Sequence, residues 1–466
     1  GRILDAEAER VMAHMRYASN GRYATGQCDG WKNISRDSLV ASMINVEYTP
    51  WLLNLFNVSA IAKTAQNLFE IISTEITYCM EYLSTIIVAY CTDCAGDAKA
   101  MRDLLREKFP WIITLDCWAH QINLLVGDFF KGRRGYAQVM DQAEEIIKWF
   151  NNHSRALAML RLEQQHQYSG RTVSLLYPVA TRWSSRFMTC VRLLEIETAV
   201  RCLVMSKLDQ LVQLTPKGKN VMETAQKQEK TRGLLLSALE SSFWDTLKSL
   251  RKHLEPLAVA TNITQSDRTR LDDVLLTLGK LYTIYSDASE FDRETSQLMV
   301  DKLETRWRKQ GSNREVFILA MVFNPYVRKD CFNPQNPALT PGELLNMFCR
   351  VYRRMMQQEP NLELIVAFEE YLGRVGRWSD EALHLPKWKA QAELEQIDIN
   401  LIDVWRLFST DRTNGADGLV TFAMRVLSIV PNTAASERKF SQMGVVQNKQ
   451  RSRLKTERVR KTVLLK

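Results

Sequence analysis

The sequence predicts a mixed fold in which an α/β opening third leads into a long all-helical block and a short basic helical tail. Three observations predict it. Apolar runs of strand length alternate with helical periodicity up to about residue 132. Between about 133 and 420 strand signals almost vanish and long amphipathic helical patterns take over. From 438 to 466 ten Lys or Arg stand against one acid, Glu457, a surplus of nine that equals the formal charge of the whole chain.

The elements follow in order. Residues 1–25 read as a helical lead-in. Residues 39–46 and 50–58 are strand-length runs separated by a turn at 47–50. Leu68, Ile71, Ile72, Ile76, Cys79 and Leu83 recur at helical spacing. The run Ile86-Ile87-Val88-Ala89-Tyr90-Cys91 is continuously apolar, as a strand buried on both faces requires. A helix is expected over 95–108 and ends at Pro110, and a second buried strand is expected over 111–115. Strand, helix and strand make a βαβ unit, right-handed if the strands are parallel. Further helices are expected over 136–165, 183–205, 234–262, 270–287, 295–309 and 341–358. Residues 209–233, with Pro216 and Gly218 among mixed charges, read as a mobile loop, and 411–418 as a turn-rich link. In the tail, Thr456 is placed to cap a terminal helix whose Val459, Val463 and Leu464 form an apolar stripe. With Phe440, Met443, Val445 and Val446 this is more apolar surface than so short a tail can bury alone, so it must pack on the core or on another chain.

Composition narrows the function classes. With 45% hydrophobic and 25% charged residues the chain is an ordinary globular protein rather than a disordered one. No window approaches a membrane-spanning length of uncharged apolar residues, and no signal peptide is legible. Nine scattered cysteines, an odd count without regular spacing, fit a reducing compartment, cytosol or nucleus. The concentrated cationic tail fits a polyanion, nucleic acid first; a solubilising helix face fits it as well.

Three acids have settings that suit chemistry. Asp29 lies in Cys28-Asp29-Gly30-Trp31, ahead of the first strand-like run. Asp93 follows the buried strand, where a carboxylate is held on rigid backbone at the rim of a sheet. Glu437 opens a helix after Pro431. Carboxylates from separate elements can hold two divalent cations, one activating water and one stabilising the leaving oxygen of a phosphodiester. Each acid taken singly also reads as a cap or turn former. A zinc reading competes: Cys91-x2-Cys94 followed by Cys117-x2-His120 has the ligand types and pair spacing of a structural site. Against it, Cys91 belongs to the buried strand, and the residues between the pairs already read as helix and strand.

The motif order adds a resemblance. Cys28-Asp29-Gly30-Trp31-Lys32-Asn33, Thr92-Asp93-Cys94-Ala95, Cys117-Trp118-Ala119-His120-Gln121-Ile122-Asn123-Leu124, Ala180-Thr181-Arg182-Trp183-Ser184-Ser185, Ala435-Ser436-Glu437-Arg438-Lys439-Phe440-Ser441 and Arg451-Ser452-Arg453-Leu454 follow one another as in hAT-family transposases. From about residue 26 onward the chain resembles that family. The resemblance implies an RNase H-like mixed-sheet core, interrupted by an all-helical insertion and closed by a C-terminal dimerisation segment. On it, 26–132 is the first part of the core, 133–420 the insertion, and 421–466 the last part of the core with the dimerisation region. It also implies that Asp29, Asp93 and Glu437 are catalytic acids binding Mg²⁺ or Mn²⁺, which accounts for the 343 residues between the last two. Cys117 and His120 then lie near the active site. Arg182 and Trp183 contact DNA, with the indole stacked on a flipped base; the alternative reading of Trp183 is a core anchor. Phe440, Met443, Val459 and Val463 serve dimerisation, while Lys449, Arg451 and Arg453 face phosphates. The partners implied are a second copy of the chain and DNA, and the setting is the nucleus. Two departures are visible: Cys94 stands where the family usually has Asn, and no BED-type zinc finger is legible in these residues. A domesticated or relic copy that dimerises without catalysis fits the same motifs.

Overall fold

The computed structural model describes residues 1–177, 183–410 and 412–465. Helix α1 (Arg2–Ser19) leads into strands β1 (Tyr23–Lys32), β2 (Ser38–Val46) and β3 (Thr49–Asn57). These are followed by α2 (Ala65–Glu81), β4 (Ile86–Thr92), α3 (Gly96–Lys108), β5 (Ile113–Asp116) and α4 (Trp118–Gly132). Everything after is helical: α5 (Arg134–Asn152), α6 (Ser154–Gln167), α7 (Trp183–Glu195), α8 (Glu197–Gln213), α9 (Val221–Ser237), α10 (Ser241–Thr264), α11 (Leu271–Tyr285) and α12 (Arg293–Lys309). Then come α13 (Arg314–Phe323), α14 (Pro341–Met356), α15 (Leu362–Leu372), α16 (Leu385–Glu395), α17 (Leu401–Arg406), α18 (Gly418–Leu427), α19 (Ala434–Val446) and α20 (Thr456–Leu464). The fold is mixed α/β, mostly helical, around one five-stranded mixed sheet. No helix of the described residues is long and apolar enough to cross a membrane.

The chain forms two compact units. One holds Gly1–Gln121, Asn262–Lys280 and Glu304–Lys466; the other holds Ile122–Thr261 and Leu281–Leu303. In the first, the strand order is β3-β2-β1-β4-β5, antiparallel through β3, β2 and β1 and parallel through β1, β4 and β5. The antiparallel part is a hairpin whose two turn residues, Glu47 and Tyr48, both have positive φ (46° and 77°). Such a turn matches the twist of its strands but strains side chains other than glycine. Glu47 is held there: its carboxylate accepts from the Tyr23 amide at 3.3 Å and pairs with Arg22 and Arg406. Tyr48 donates its hydroxyl to the Leu427 carbonyl at 2.7 Å.

Strand alternation gives the sheet two apolar faces. Ala24, Cys28, Ile44, Val46 and Tyr90 meet Ile72 and Ile76 of α2 and Met101 and Leu105 of α3. Leu39, Ala41, Met43, Leu52 and Leu55 meet Phe440 and Met443 of α19 and Val459 and Val463 of α20. The tail therefore satisfies its apolar stripe on its own sheet. Among its described residues the second unit's regular elements are all helices, and α10 runs through Pro256 without ending.

Three expectations change. Residues 209–233 are not a loop, since α8 continues to Gln213 and α9 begins at Val221 with Asn220 capping the Glu223 amide at 2.8 Å. Thr456 is the first helical residue and caps nothing, because Lys455 holds the cap position of α20 without a side-chain bond. The helical pattern over 136–165 breaks at His153, which separates α5 from α6.

The close approach of β1 to β4 depends on Gly26. A Cβ there would sit 2.4 Å from the ring of Tyr90, which is itself buried. We expect Gly26→Ala to lower unfolding free energy by about 1–3 kcal/mol, the range for overpacking a filled core. Denaturant titration of the two proteins checks this, and equal midpoints would remove Gly26 from the packing argument.

A carboxylate-lined sheet rim as candidate functional site

Asp29 lies inside β1, not ahead of the first strand as the sequence suggests. Gly26 and Gly30 flank it, and glycine and aspartate disguise a strand. Strand register then aligns the candidate residues. Cys28 pairs with Thr92 of β4, and Thr92 pairs with Asp116 of β5. Asp29, Asp93 and Cys117 are each one residue further along, so they form a row where the parallel pairing stops, just past the ends of β4 and β5 and three residues before the end of β1. Arg102 of α3 is buried and fixes two of those ends, donating to the Asp93 carbonyl at 2.7 Å and bonding Thr92 Oγ1 and the Asp116 carboxylate. Sequence reasoning did not single out Arg102; its only signal was a cation on the inner face of a helix leading to the second strand.

Each aspartate has one oxygen on a nearby amide. The Gly30 N–H donates to Asp29 Oδ1 at 2.7 Å, and the Ala95 N–H to Asp93 Oδ1 at 3.3 Å. Both aspartates line a cavity of about 400 Å³ together with Lys32, Lys63 and Asp97, walled by Val40, Leu68 and Ile71. Burial pushes the Asp29 carboxyl up to about 7; the Gly30 amide opposes this, and the charges of Asp93, Glu437 and Cys117 add to it. Asp29 therefore feels both other acids.

The segment that leads to Glu437 runs along one side of β1. Thr25, Gln27, Asp29 and Trp31 alternate onto that side. Thr25 Oγ1 accepts from the Val430 amide at 2.9 Å, Gln27 Nε2 donates to the Asn432 carbonyl at 2.8 Å, and Trp31 stacks on Phe440 at 5.7 Å between ring centroids. Glu437 sits in the first turn of α19, between these anchors, and is exposed. Gln27 Oε1 is buried without a partner. Among the described residues no three His, Cys, Asp or Glu side chains are close enough together to hold one metal ion.

Cys117 is buried directly before α4. A hydrogen bond from Cys91 lowers its thiol to about 7 against the opposing effect of burial, helped by Thr433, whose amide donates to Sγ at 3.4 Å, and by the His120 amide. Cys91 moves the other way, upward, through burial and that same bond. Cys94 accepts from Gln121 Nε2 at 3.1 Å. All nine cysteines are free thiols.

Residues 378–466 match the family model of the hAT family C-terminal dimerisation region. Over these residues the chain resembles that region. The match supports the resemblance to hAT-family transposases and the homo-oligomerisation that the name of the region describes. No curated protein matches the chain.

Four residues of the matched region were expected to serve dimerisation. Phe440, Met443, Val459 and Val463 are at most 7% exposed and pack on β2 and β3 of their own chain, so the protomer has already covered them. Lys449, Arg451 and Arg453 are exposed and, among the described residues, make no ion pair. Trp183 belongs to the helical unit, half-buried at the start of α7. Its indole N–H donates to Asn123 Oδ1 at 2.8 Å, and its ring lies against Phe187. Arg182 lies outside the described residues.

The raised Asp29 carboxyl has a direct consequence for stability. A carboxyl whose folded value lies above its unfolded value binds more protons when folded. Its ionisation therefore costs stability as pH rises from about 4 to above 7. With chelator present, Asp29→Asn is expected to be more stable than the parent at pH 8, by roughly 1–3 kcal/mol. The difference should shrink as pH falls towards 4. Thermal melts across that range check it, and a constant difference would remove burial of the carboxylate as the cause.

Proposed function

We propose that this hAT transposase-like, dimerising protein binds DNA in the nucleus, and that the sheet rim is a metal-dependent phosphodiester-cleaving centre on an RNase H-like core. The observation that carries this reading is the adjacency of Asp29 and Asp93 on neighbouring parallel strands, with the charge of Glu437 acting on Asp29. The donor set fits a hard divalent cation: it consists of carboxylate oxygens, and the charges acting on Asp29 are those of Asp93, Glu437 and Cys117. Mg²⁺ or Mn²⁺ held by Asp29 and Asp93, with Glu437 as third donor, would supply an activated water and stabilise the leaving oxygen. Arg102 keeps the backbone of Asp93 fixed, and the Gly30 amide orients Asp29. Glu437, exposed on the first turn of α19, has room to turn towards them. Lys449, Arg451 and Arg453 would receive backbone phosphates, and the half-exposed indole of Trp183 would serve as a stacking surface for a displaced base.

A second reading is favoured by a specific observation. Since no three candidate ligands stand together among the described residues, a domesticated or relic protein that dimerises without cleaving fits as well. One experiment separates the two. Purified protein is incubated with hairpin-forming DNA and Mn²⁺ or Mg²⁺, alongside Asp29→Asn, Asp93→Asn and Glu437→Gln. Catalysis at the rim predicts cleavage that falls roughly 100-fold or more in each variant. Cleavage that survives Asp93→Asn removes the rim as the centre. A dimer that cleaves nothing, and whose melting temperature does not respond to Mn²⁺, establishes the second reading.

A further inference from the structure

If Phe440, Met443, Val459 and Val463 are occupied within the protomer, the hAT region must meet its partner elsewhere. α16 is the part of that region with the least cover. Of its eleven residues only Leu385 is buried, and an isolated helix of that length is marginal in water without packing. Leu394 is 78% exposed, and Ile397, just past the helix end, is 54% exposed. Beside them runs an open groove of about 1000 Å³. Trp388, Ala392, Ile397 and Asn400 form one wall, Tyr48, Ser266 and Arg268 the other, and Tyr326 lies in the lining and donates its hydroxyl to the Leu385 carbonyl at 3.1 Å.

We propose that this groove and α16 are the surface on which a second copy of the chain docks. The proposal rests on the reading of residues 378–466 as a dimerisation region. Charge disfavours nucleic acid here, because Glu393, Glu395 and Asp398 make the α16 wall anionic and would repel phosphates. A second copy is self-complementary with it. In a two-fold dimer each surface meets itself, so the acidic wall of one protomer can face the exposed Arg268 of the other, around a centre made by Trp388, Ala392 and Ile397, with the exposed Leu394 on the adjoining face of α16.

Sedimentation velocity of the full chain at micromolar concentration tests this, with thermal melts as the control for folding. The parent protein is expected to be a dimer. Leu394→Glu with Ile397→Glu, and separately Arg268→Glu, should weaken it at least ~30-fold, the size of a hot-spot loss. Each variant should still melt in one cooperative transition, because all three residues are exposed. Should the double variant misfold, Ile397→Asn carries the same expectation. Val445→Glu, exposed elsewhere in the hAT region, should stay dimeric. A groove variant that remains dimeric while Val445→Glu dissociates overturns the surface but leaves dimerisation standing. A monomeric parent overturns both.

Discussion

The structure depends on a stretch of irregular backbone lying where water does not reach. Residues 428–433, between α18 and α19, are all buried, and backbone groups that lose water must find other partners. They find them on β1 and at the start of α4. Thr25 Oγ1 accepts from the Val430 amide, Gln27 Nε2 donates to the Asn432 carbonyl, the Pro431 carbonyl accepts from the Trp118 amide at 2.9 Å, and the Thr433 amide donates to Cys117. Asn432 adds a bond to the Ser266 carbonyl at 2.9 Å. Each such bond contributes only about 1 kcal/mol net, but leaving its partner unpaired costs more. The set therefore specifies one path for the chain. That path fixes where Glu437 emerges and how α19 lies on the sheet.

The rim it completes is electrostatically uneven. Asp29 feels the charges of Asp93, Glu437 and Cys117, and the buried cation nearby, Arg102, is engaged by Thr92, the Asp93 carbonyl and Asp116 rather than by Asp29. A stable interior normally pairs its charges. Here burial and like charge both act on Asp29, an arrangement more usual at functional sites than in structural cores. The hairpin turn is the opposite case, where strain at Glu47 and Tyr48 is matched by partners for both side chains.

Much of the sheet unit was legible in the sequence, for physical reasons. β4 and β5 are buried on both faces and so are continuously apolar, and α2 and α3 carry regular apolar spacing. β1 was not legible. Its outer positions hold Thr25, Gln27 and Asp29, which face the tail rather than an apolar layer, and Gly26 must stay small beneath Tyr90. A pattern test that seeks hydrophobic alternation passes over such a strand. The region around Pro216 and Gly218 misled for the reverse reason, because breakers and charges suggested a loop while Asn220 capped a new helix just beyond them. Asp29, Asp93 and Glu437 were singled out by their local settings and grouped only by motif order, since no local property of residue 437 links it to residue 29. The dimerisation residues show the limit of counting apolar side chains: the surplus was real, but the sheet of the same chain absorbs it.

The cover on the second sheet face has a consequence for how the protein is made. Leu39, Ala41, Met43, Leu52 and Leu55 are synthesised roughly four hundred residues before the side chains that shield them, Phe440 through Val463. Throughout elongation that apolar hairpin face stands bare on a nascent polypeptide, which is the circumstance that favours aggregation and chaperone engagement. Emergence of residues 440–463, rather than of the sheet itself, is then the moment at which this half of the protein can close.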